Sequence, residues 1–519
     1  MNRILFAFIA LCVASSSFAA ENARPNIIYI LADDMGYGDV AALNKEGKIK
    51  TPHLDRLARE GMIFTDAHSS SAVCTPTRYG VLTGRYNWRT KLQSGVLGGY
   101  SRPLIAPDRM TVASLLKQHG YRTACIGKWH LGMDWPLKEG GAADDKGNFA
   151  DGYGDAWKVD YKKPIQNGPN DVGFDYYFGI SASLDMPPYL FIRDRLVTKE
   201  PTLDRELWPR RKGPSREDFN LEDVLPALAR ETVKVIDEGA ADAKPDAKSR
   251  KPLFIYMPLN SPHTPFVPNK EWKGKSGINE YADFMMETDA AIGQVLEALD
   301  RNGLTENTLI IFTSDNGCSP QANFGELAKH GHNPNYVLRG HKADIFDGGH
   351  RVPFIARWPG KIKPGSTSDQ IVCLTDLMAT CADILGVKLP DNAGEDSVSL
   401  VPAFTGKSGT QHEAVVHHSI NGSFSIRQGK WKLILAPDSG GWSAPRPGRA
   451  AKDSPAMQLY NMTSDIGEQK NVIDAHPDIA QDLAKLLERF VQQGRSTPGA
   501  TQKNDVAVNI YRHVPGRNE

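Results

Sequence analysis

The sequence alternates short apolar runs with patterns of helical spacing over most of its length. Stretches typical of helices include Thr51-Pro52 to Gly61, Thr111–Gln118 and the apolar stripe from Tyr281 to Leu299. Strands that alternate with helices form a largely parallel sheet with helices on its faces, so we expect an α/β fold. The runs that predict strands are Asn26–Leu31, Arg122–Ile126, Leu253–Pro258, Thr308–Thr313 and Pro353–Trp358.

The first twenty residues have the composition of a secretory signal peptide. Arg3 precedes an apolar run from Ile4 to Val13, and the small residues at 17, 19 and 20 suit cleavage before Glu21. The run is too short to span a bilayer, and no later segment approaches about 18 uninterrupted apolar residues. A lipid anchor at Cys12 is the alternative, although the residues before it make a poor lipobox. We expect an exported protein, periplasmic or secreted, without insertion into a membrane.

The remaining chain is too long for a single core, and its length allows two to four domains. The pattern changes after Gly406, so we expect two domains after the signal peptide at 1–20. The α/β domain is predicted at 21–406, with Gly140–Asn170 and Arg193–Lys251 interpreted as surface insertions. A smaller α+β domain is predicted at 407–519. It begins with an antiparallel meander of Ala414–His418, Ser423–Gln428 and Trp431–Leu435, and a helical stripe follows from Ile479 to Val491.

Charge and cysteine content narrow the possible partners. The 61 basic and 61 acidic residues balance, so no overall field attracts nucleic acid or membranes. An anionic substrate therefore has to be bound by local Arg, Lys and His side chains.

The cysteine count is odd. Without Cys12 five cysteines remain, and an odd number in an exported protein indicates at least one with a role other than disulfide pairing. The pairing of the other four stays open, and they are Cys125, Cys318, Cys373 and Cys381.

Polar residues follow four of the predicted strands directly. Ligands of open α/β sheets bind beyond the carboxyl ends of the strands, where these side chains would meet. Four of them offer only oxygen ligands, a set that favours Ca²⁺ over zinc and, more modestly, over Mg²⁺. These four are Asp33, Asp34, Asp315 and Asn316. The other two strand ends carry Lys128 with His130, and His263.

The stretch from Cys74 to Arg78 places a cysteine at the predicted start of a helix. Pro76 suits the first helical position, because it lacks an N–H that would be unpaired there. Cys74 would then lie at the positive end of the helix dipole, which favours anions. Arg78 follows about one turn later and could reach the same anion. The alternative is a buried structural cysteine.

These segments together resemble the type I sulfatases. The matching blocks are N-I-I-Y-I-L-A-D-D-M-G-Y-G-D, C-T-P-T-R with T-G-R, G-K-W-H-L-G, S-P-H-T-P, T-S-D-N-G and G-H-K-A-D to G-G-H-R-V-P. The resemblance covers about 25–460. It implies an alkaline-phosphatase-like fold, with a large, mostly parallel sheet flanked by helices and a C-terminal α+β domain that contains an antiparallel sheet. His341 and Ala343 flank Lys342 at positions where many members carry glycine and serine.

The resemblance also implies a mechanism for hydrolysing sulfate esters. A maturation enzyme oxidises Cys74 to formylglycine, whose hydrate attacks sulfur and forms a covalent sulfate ester. Arg78, Lys128, Lys342 and a Ca²⁺ ion stabilise the developing charge. His263, with Lys342, protonates the leaving oxygen, and His130 deprotonates the second hydroxyl so that sulfate is expelled. The implied metal ligands are Asp33, Asp34, Asp315, Asn316 and the modified Cys74.

The sequence indicates the substrate less specifically than it indicates the reaction. The blocks Y-N-W-R-T and S-L-D-M-P-P-Y resemble bacterial sulfatases similar to N-acetylgalactosamine-6-sulfatase, which implies a 6-O-sulfated galactose or N-acetylgalactosamine unit. The alternatives are an arylsulfatase of other specificity, a phosphodiesterase or phosphonate monoester hydrolase of the superfamily, and a non-catalytic glycan-binding protein. Candidate substrate-binding residues, which could equally be solvated loop residues, are Tyr100, Arg102, Asp185, His341, His350 and Arg351.

Overall fold

The computed structural model describes residues 24–138, 153–241, 251–407, 409 and 411–517. The predicted signal peptide at 1–20 lies outside the described residues. Within these ranges, none of the helices combines the length and the apolar character that a bilayer-spanning segment needs.

The described residues form eighteen strands and ten helices. The strands are β1 Asn26–Ala32, β2 Met62–Phe64, β3 Ala67–His68, β4 Arg122–Lys128, β5 Tyr176–Ile180, β6 Ile192–Arg193, β7 Leu196–Val197, β8 Leu203–Glu206, β9 Lys212–Ser215, β10 Leu253–Pro258, β11 Thr308–Ser314, β12 Phe354–Arg357, β13 Ser366–Ser368, β14 Val372–Cys373, β15 Val415–His418, β16 Phe424–Gln428, β17 Trp431–Ile434 and β18 Gln458–Asn461. The helices are α1 Pro52–Glu60, α2 Cys74–Thr83, α3 Val112–Gln118, α4 Val224–Ala241, α5 Glu280–Arg301, α6 Phe324–Lys329, α7 Asp347–His350, α8 Leu377–Leu385, α9 Val401–Phe404 and α10 Pro477–Gln492.

A ten-stranded sheet forms the centre of the molecule, in the order β13-β2-β12-β11-β1-β10-β4-β5-β6-β7. Its five middle strands, from β11 to β5, are all parallel, which confirms the predicted α/β fold. Their carboxyl ends therefore lie along one edge of the sheet. The predicted strand Pro353–Trp358 forms β12, which runs antiparallel to β11.

Helices cover both faces of this sheet because its strands are apolar on both sides. In β1, Ile27, Tyr29 and Leu31 belong to one hydrophobic core, whereas Ile28 and Ile30 belong to the other. Side chains of α2, α3 and α8 complete the first core, and those of α1, α4 and α5 complete the second. This layering holds the middle strands, and therefore their ends, in fixed positions.

Helix α4 corrects the interpretation of Arg193–Lys251 as a surface insertion. Its side chains Leu225, Leu228 and Ile236 are at most 1% exposed and pack in the core beside α5 and the sheet. The charged residues of this segment had obscured an amphipathic helix, whose apolar stripe faces inward. Residues 242–250, which follow α4, lie outside the described residues.

The C-terminal part contains the predicted antiparallel meander. Strands β15, β16 and β17 pair in sequence, and β18 adds a fourth strand that the sequence analysis did not predict. Helix α10 packs its apolar side, including Leu483, Leu487 and Phe490, on this sheet. The domain boundary at residue 406 stays a prediction.

Candidate active site

The ends of four parallel strands converge on one group of charged side chains. Asp33 and Asp34 follow β1, Lys128 ends β4, His263 follows β10, and Asp315 follows β11. The two aspartates and Asp315 are completely buried, as is Lys128. The strand-end prediction therefore brought together residues that are up to 282 positions apart in the chain.

Helix α2 presents Cys74 and Arg78 to the same group. The helix begins at Cys74, so Pro76 is its third residue, whereas the sequence analysis placed proline first. Proline is tolerated there because the first turn has no intrahelical partner for its nitrogen. Cys74 therefore lies at the helix N-terminus, as expected. One turn later Arg78 donates two hydrogen bonds to Asp315 Oδ2, at 2.7 and 3.1 Å, and one to the carbonyl of Lys128 at 3.0 Å.

Each of the two consecutive aspartates is bound by a lysine. Lys128 Nζ lies 2.7 Å from Asp33 Oδ2, and Lys342 Nζ lies 2.7 Å from Asp34 Oδ2. Asn316 donates to the other oxygen of Asp34 at 2.7 Å. Despite its unusual flanking residues, Lys342 therefore reaches the group. The backbone beside it is tied to the Cys74 segment, because the N–H of Ala343 donates to the carbonyl of Ala72 at 2.8 Å.

Two buried oxygens in this group have no hydrogen-bond donor. They are Asp33 Oδ1 and Asn316 Oδ1. Separately, Asp33, Asp34 and His263 each offer one possible metal-ligand atom, and these three atoms lie within 4.8 Å of one another. An unsatisfied buried carboxylate oxygen is costly, and a cation would remove this cost. Burial and the negative charge of Asp33 raise the pKa of Asp315 to about 7, which reflects the same crowding of carboxylates. Hard oxygen donors of this kind fit Ca²⁺ or Mg²⁺.

Two histidines lie at the same edge of the sheet, and each has one ring nitrogen beside a backbone carbonyl. His130 Nε2 is 2.6 Å from the carbonyl of Leu97, whereas its buried Nδ1 has no partner. Burial and the charge of Lys128 hold the pKa of His130 well below its usual range, so the ring is neutral. His263 Nδ1 is 2.6 Å from the carbonyl of Thr264, and its Nε2 is 3.7 Å from Asp34 Oδ2. Each ring therefore donates to a carbonyl and keeps one nitrogen free for a proton.

Backbone strain marks the same place. Asp34, His130 and Ala343 adopt φ values of 67°, 55° and 82°, in the left-handed region that residues with a Cβ seldom occupy. Such conformations cost about 1–3 kcal/mol each and persist where the surrounding structure holds them. Asp34 and His130 contribute side chains to the site, and Ala343 directly follows Lys342, which also belongs to it.

The predicted substrate-binding residues fall into two groups. Tyr100 is buried with its hydroxyl 2.7 Å from that of Tyr161, and Arg102 lies 3.4 Å from Asp134. His341 is half-buried beside Lys342, with its Nδ1 2.9 Å from that residue's carbonyl. Asp185 accepts a hydrogen bond from Arg211 at 2.6 Å, while its buried Oδ1 has no partner.

The other two predicted residues contact different parts of the protein. His350 lies against His68 and Lys432, at 3.1 Å in each case. Arg351 donates to the carbonyl of Thr65 at 2.9 Å. Neither makes a polar contact with the four strand ends among the described residues, so the structure does not bring these two into the charged group.

The sequence analysis missed several polar side chains beside the predicted ones. Ser181 and Ser183 are buried without hydrogen-bond partners, as are both amide atoms of Asn260. The carbonyl of Ser181 accepts from the N–H of His130 at 2.9 Å, which places this loop at the same edge of the sheet. A strand assignment for β5 would have identified Ser181–Asp185 as a further polar strand end.

The family models agree with this geometry. Residues 25–387 match the model described as Sulfatase, and residues 341–495 match the one described as N-sulphoglucosamine sulphohydrolase, C-terminal. An N-acetylgalactosamine-6-O-sulfatase of Bacteroides thetaiotaomicron is 34% identical over 504 residues, which covers 90% of this chain and 93% of the relative. Human arylsulfatase A is 30% identical, with coverage of 92% and 90%.

A solved structure is similar over almost the same length. It comes from a study of the metabolism of multiple glycosaminoglycans by Bacteroides thetaiotaomicron and is 30% identical, with a TM-score of 0.75. The match covers 90% of this chain and 99% of that one. With the family match over most of the chain and the convergent strand ends, this chain belongs to the sulfatase family and is a sulfuric ester hydrolase.

Proposed function

We propose that this sulfatase removes a 6-O-sulfate from a galactose or N-acetylgalactosamine unit of a sulfated glycan, and that its nucleophile derives from Cys74. The observation that carries the proposal is the position of Cys74 at the buried start of α2. There Lys128 and Lys342 are the charged side chains that lower the pKa of the Cys74 thiol most, against the larger effect of burial. The name of the Bacteroides relative supports the choice of the 6-O-sulfate.

An unmodified thiol at position 74 would be a weak nucleophile. Burial raises the pKa of Cys74 above its usual value in spite of Lys128 and Lys342, so the sulfur stays protonated. Oxidation to formylglycine by a maturation enzyme replaces the thiol with an aldehyde, which in its hydrated form supplies two hydroxyls. This replacement accounts for a cysteine at a position where a thiolate is disfavoured.

Three cationic side chains are positioned to bind the sulfate group. Arg78, Lys128 and Lys342 are buried and compensated by Asp315, Asp33 and Asp34, so they are fixed before substrate arrives. Fixed charges in a dry site stabilise a transition state more than solvated ones, because no reorganisation is needed.

The two histidines suit opposite proton transfers. His263, when it is protonated at Nε2 beside Asp34, donates this proton to the leaving oxygen of the sugar, with Lys342 beside the same aspartate. His130 is neutral with an unpartnered Nδ1, so it accepts the proton of the second hydroxyl at position 74 and allows sulfate to leave.

Asp33, Asp34, Asp315 and Asn316 would hold Ca²⁺, in preference to Mg²⁺, together with the modified side chain at position 74. The unsatisfied oxygens of Asp33 and Asn316 support this assignment. When bound, the ion would act as a Lewis acid on the sulfate oxygens.

Recognition of a sugar is supported by the polar side chains that lack partners. Hydrogen-bond donors and acceptors that match sugar hydroxyls are offered by Ser181, Ser183, Asp185 and Asn260. A buried polar atom without a partner is costly, so a sugar hydroxyl that binds it would remove this cost. An exported enzyme, with residues 1–20 removed as a signal peptide, would meet such glycans in the periplasm or outside the cell. Tyr100, Arg102 and His341 stay candidates for the outer part of this subsite.

A panel of substrates tests the proposal. Calcium-loaded protein, co-expressed with a formylglycine-generating enzyme, should show a kcat/KM at least about 100-fold higher for 6-O-sulfated N-acetylgalactosamine or galactose than for the 4-O-sulfated isomers. A higher value for aryl sulfates would favour an arylsulfatase of other specificity, and a higher value for phosphate diesters would favour a phosphodiesterase. Either result would contradict the proposal.

A variant of the sugar subsite sharpens the same test. Asp185→Asn removes a buried charge that an aryl sulfate would not use, so its kcat/KM should fall for the sugar substrate much more than for the aryl one. Asp218→Asn, at an exposed carboxylate paired with Lys199, is the matched control and should change neither.

A further inference from the structure

The ring of His130 is oriented by a single backbone carbonyl. Its Nε2 lies 2.6 Å from the carbonyl oxygen of Leu97, and a carbonyl carries no proton, so Nε2 donates and Nδ1 keeps the lone pair of the neutral ring. Nδ1 is buried without a partner, and the backbone of His130 is strained at φ 55°. The direction of this lone pair therefore depends on how the Leu97 carbonyl is held.

A serine holds the other end of the same peptide group. The N–H of this peptide group belongs to Gly98 and donates to Ser101 Oγ at 2.8 Å. A peptide group is planar, so fixing its N–H also fixes the direction of its C=O. Ser101 is 2% exposed, and its own N–H donates to the carbonyl of Gly98 at 3.2 Å, which closes a four-residue turn.

A threonine holds the preceding peptide group. Thr75 Oγ1 accepts from the N–H of Leu97 at 3.2 Å, and Thr75 is completely buried as the second residue of α2. Two residues earlier in the same loop, the N–H of Gly95 donates to the carbonyl of Ile420 at 2.7 Å. The loop is therefore bonded both to the helix that carries the proposed nucleophile and to the C-terminal part.

The hydrogen bonds return from Ser101 to the segment of His130. The carbonyl of Ser101 accepts from the N–H of Met133 at 3.0 Å. A closed set of bonds thus runs from Ser101 through Gly98 and Leu97 to His130, and back along the chain through Met133. Each bond in such a set limits the movement of the others, so the ring has little freedom to turn.

We propose that Ser101 and Thr75 are positioning residues for His130, and that they act through the backbone of Leu97. The proposal rests on the proposed function, in which His130 is the base of the second step. In that step Nδ1 takes the proton of the free hydroxyl at position 74, and the electron pair of the O–H bond forms the C=O bond. The C–O bond to sulfate breaks, and its electron pair leaves with the sulfate.

The two hydroxyls should affect the second step more than the first. The first step uses His263, which follows a different strand and is bonded to the carbonyl of Thr264 instead. Without Ser101 Oγ the carbonyl of Leu97 turns more freely, so Nδ1 spends less time in line with the hydroxyl at position 74. A purely structural role for the serine would instead lower the stability and slow both steps together.

The probe is 4-nitrocatechol sulfate, radiolabelled in its sulfur, with calcium-loaded full-length protein. Its leaving group departs without a proton, so the second step limits turnover. All values are given per converted site, because Thr75 lies beside Cys74 and its substitution can change the formylglycine content. Ser101→Ala should lower kcat about 10- to 100-fold. After a rapid acid quench it should still retain close to one equivalent of labelled sulfate, with a matching burst of 4-nitrocatechol.

Further variants separate positioning from folding. Thr75→Val keeps the shape but removes the hydroxyl, so it should reproduce both effects even if Ser101→Ala fails to fold. Ser101→Thr and Thr75→Ser keep a hydroxyl and should recover most of kcat. The double variant should lose less than the product of the two single losses, because both act through one carbonyl. Ser399→Ala is the control, since Ser399 Oγ accepts from the N–H of Val401 at 3.2 Å, and it should change neither readout.

The proposal is overturned if Ser101→Ala and Thr75→Val keep the wild-type kcat, or if they lose kcat and retain less labelled sulfate than the wild type. His130→Ala distinguishes this failure from a failure of the proposed function. If His130→Ala retains sulfate and the two hydroxyl variants do not, His130 is the base but these residues do not position it. If His130→Ala does not retain sulfate either, the proposed base is wrong and the positioning role falls with it.

Discussion

At the scale of single residues, the site is a set of compensated charges. Asp33, Asp34 and Asp315 are each paired with at least one basic side chain, and all are buried. The sequence predicted these groups because polar residues directly follow apolar strands, and such ends meet in a parallel sheet. It did not single out Ser181 or Asn260, which we propose as sugar ligands. Their significance depends on which buried atoms lack partners, and that is a property of the folded chain.

The proposed role of His263 as proton donor leads to a prediction that separates proton donation from binding. His263→Ala should lower kcat about 10²–10⁴-fold for a sugar sulfate, whose leaving oxygen needs a proton. The loss should be much smaller for 4-nitrocatechol sulfate, whose leaving group is stable as an anion. Steady-state kinetics of both substrates measure the difference, and equal losses would show that His263 does not act as the donor.

At the scale of elements, long apolar strands were predictable and short ones were not. Strands β1, β10 and β11 appear within one residue of their predicted ends, because runs of buried, mostly apolar residues determine them. β2 and β18 have only three and four residues and owe their pairing to distant partners. Helix α2 starts at Cys74, two residues before the predicted start at Pro76.

The end of α2 provides a test of how this helix is held. Gly84 ends the helix at φ 64°, and an added Cβ would lie 2.8 Å from Met378 Cβ and 2.9 Å from Gly394 Cα. Gly120 has a similar φ of 86°, but nothing lies within 4 Å of its added Cβ. Both substitutions by alanine carry the backbone cost of positive φ, so their difference reports the clash alone.

We expect Gly84→Ala to lower the free energy of unfolding by about 1–3 kcal/mol more than Gly120→Ala. Denaturant unfolding followed by circular dichroism measures both. Equal destabilisation would mean that the packing around Gly84 adjusts without cost.

At the scale of the whole molecule, the C-terminal part contributes to the surroundings of the catalytic group. The buried carboxylate of Asp344 accepts from the N–H groups of His341, Trp442 and Ser443 at 2.7–3.0 Å, so a C-terminal loop is fixed next to Lys342. The sequence predicted a second domain with an antiparallel meander, but not this contact. Interactions between residues about 100 positions apart leave no local pattern.

A buried ion pair connects the same two parts and makes stability depend on pH. His412 Nε2 lies 2.7 Å from Asp376 Oδ1, and both side chains are at most 3% exposed. Burial alone would lower the pKa of His412, but the charge and hydrogen bond of Asp376 raise it above its usual value. A raised pKa in the folded state contributes stability below the unfolded pKa of about 6.5, and this contribution is lost as the pH rises through the folded value.

The variant His412→Gln should therefore lower Tm more at pH 6 than at pH 9. Thermal unfolding across this range measures the difference, with His476→Gln as the control, because the ring of His476 lies against Trp431. A difference in Tm that is independent of pH would contradict a charged His412 in the folded protein.

The most direct test of the central claim is peptide mass spectrometry across Ser71–Arg78, on active protein from the native host. Conversion of Cys74 to formylglycine predicts a mass about 18 Da below that of the unmodified peptide, because the aldehyde replaces the thiol. Activity should rise in proportion to the converted fraction. An unmodified Cys74 thiol in fully active protein would contradict the account.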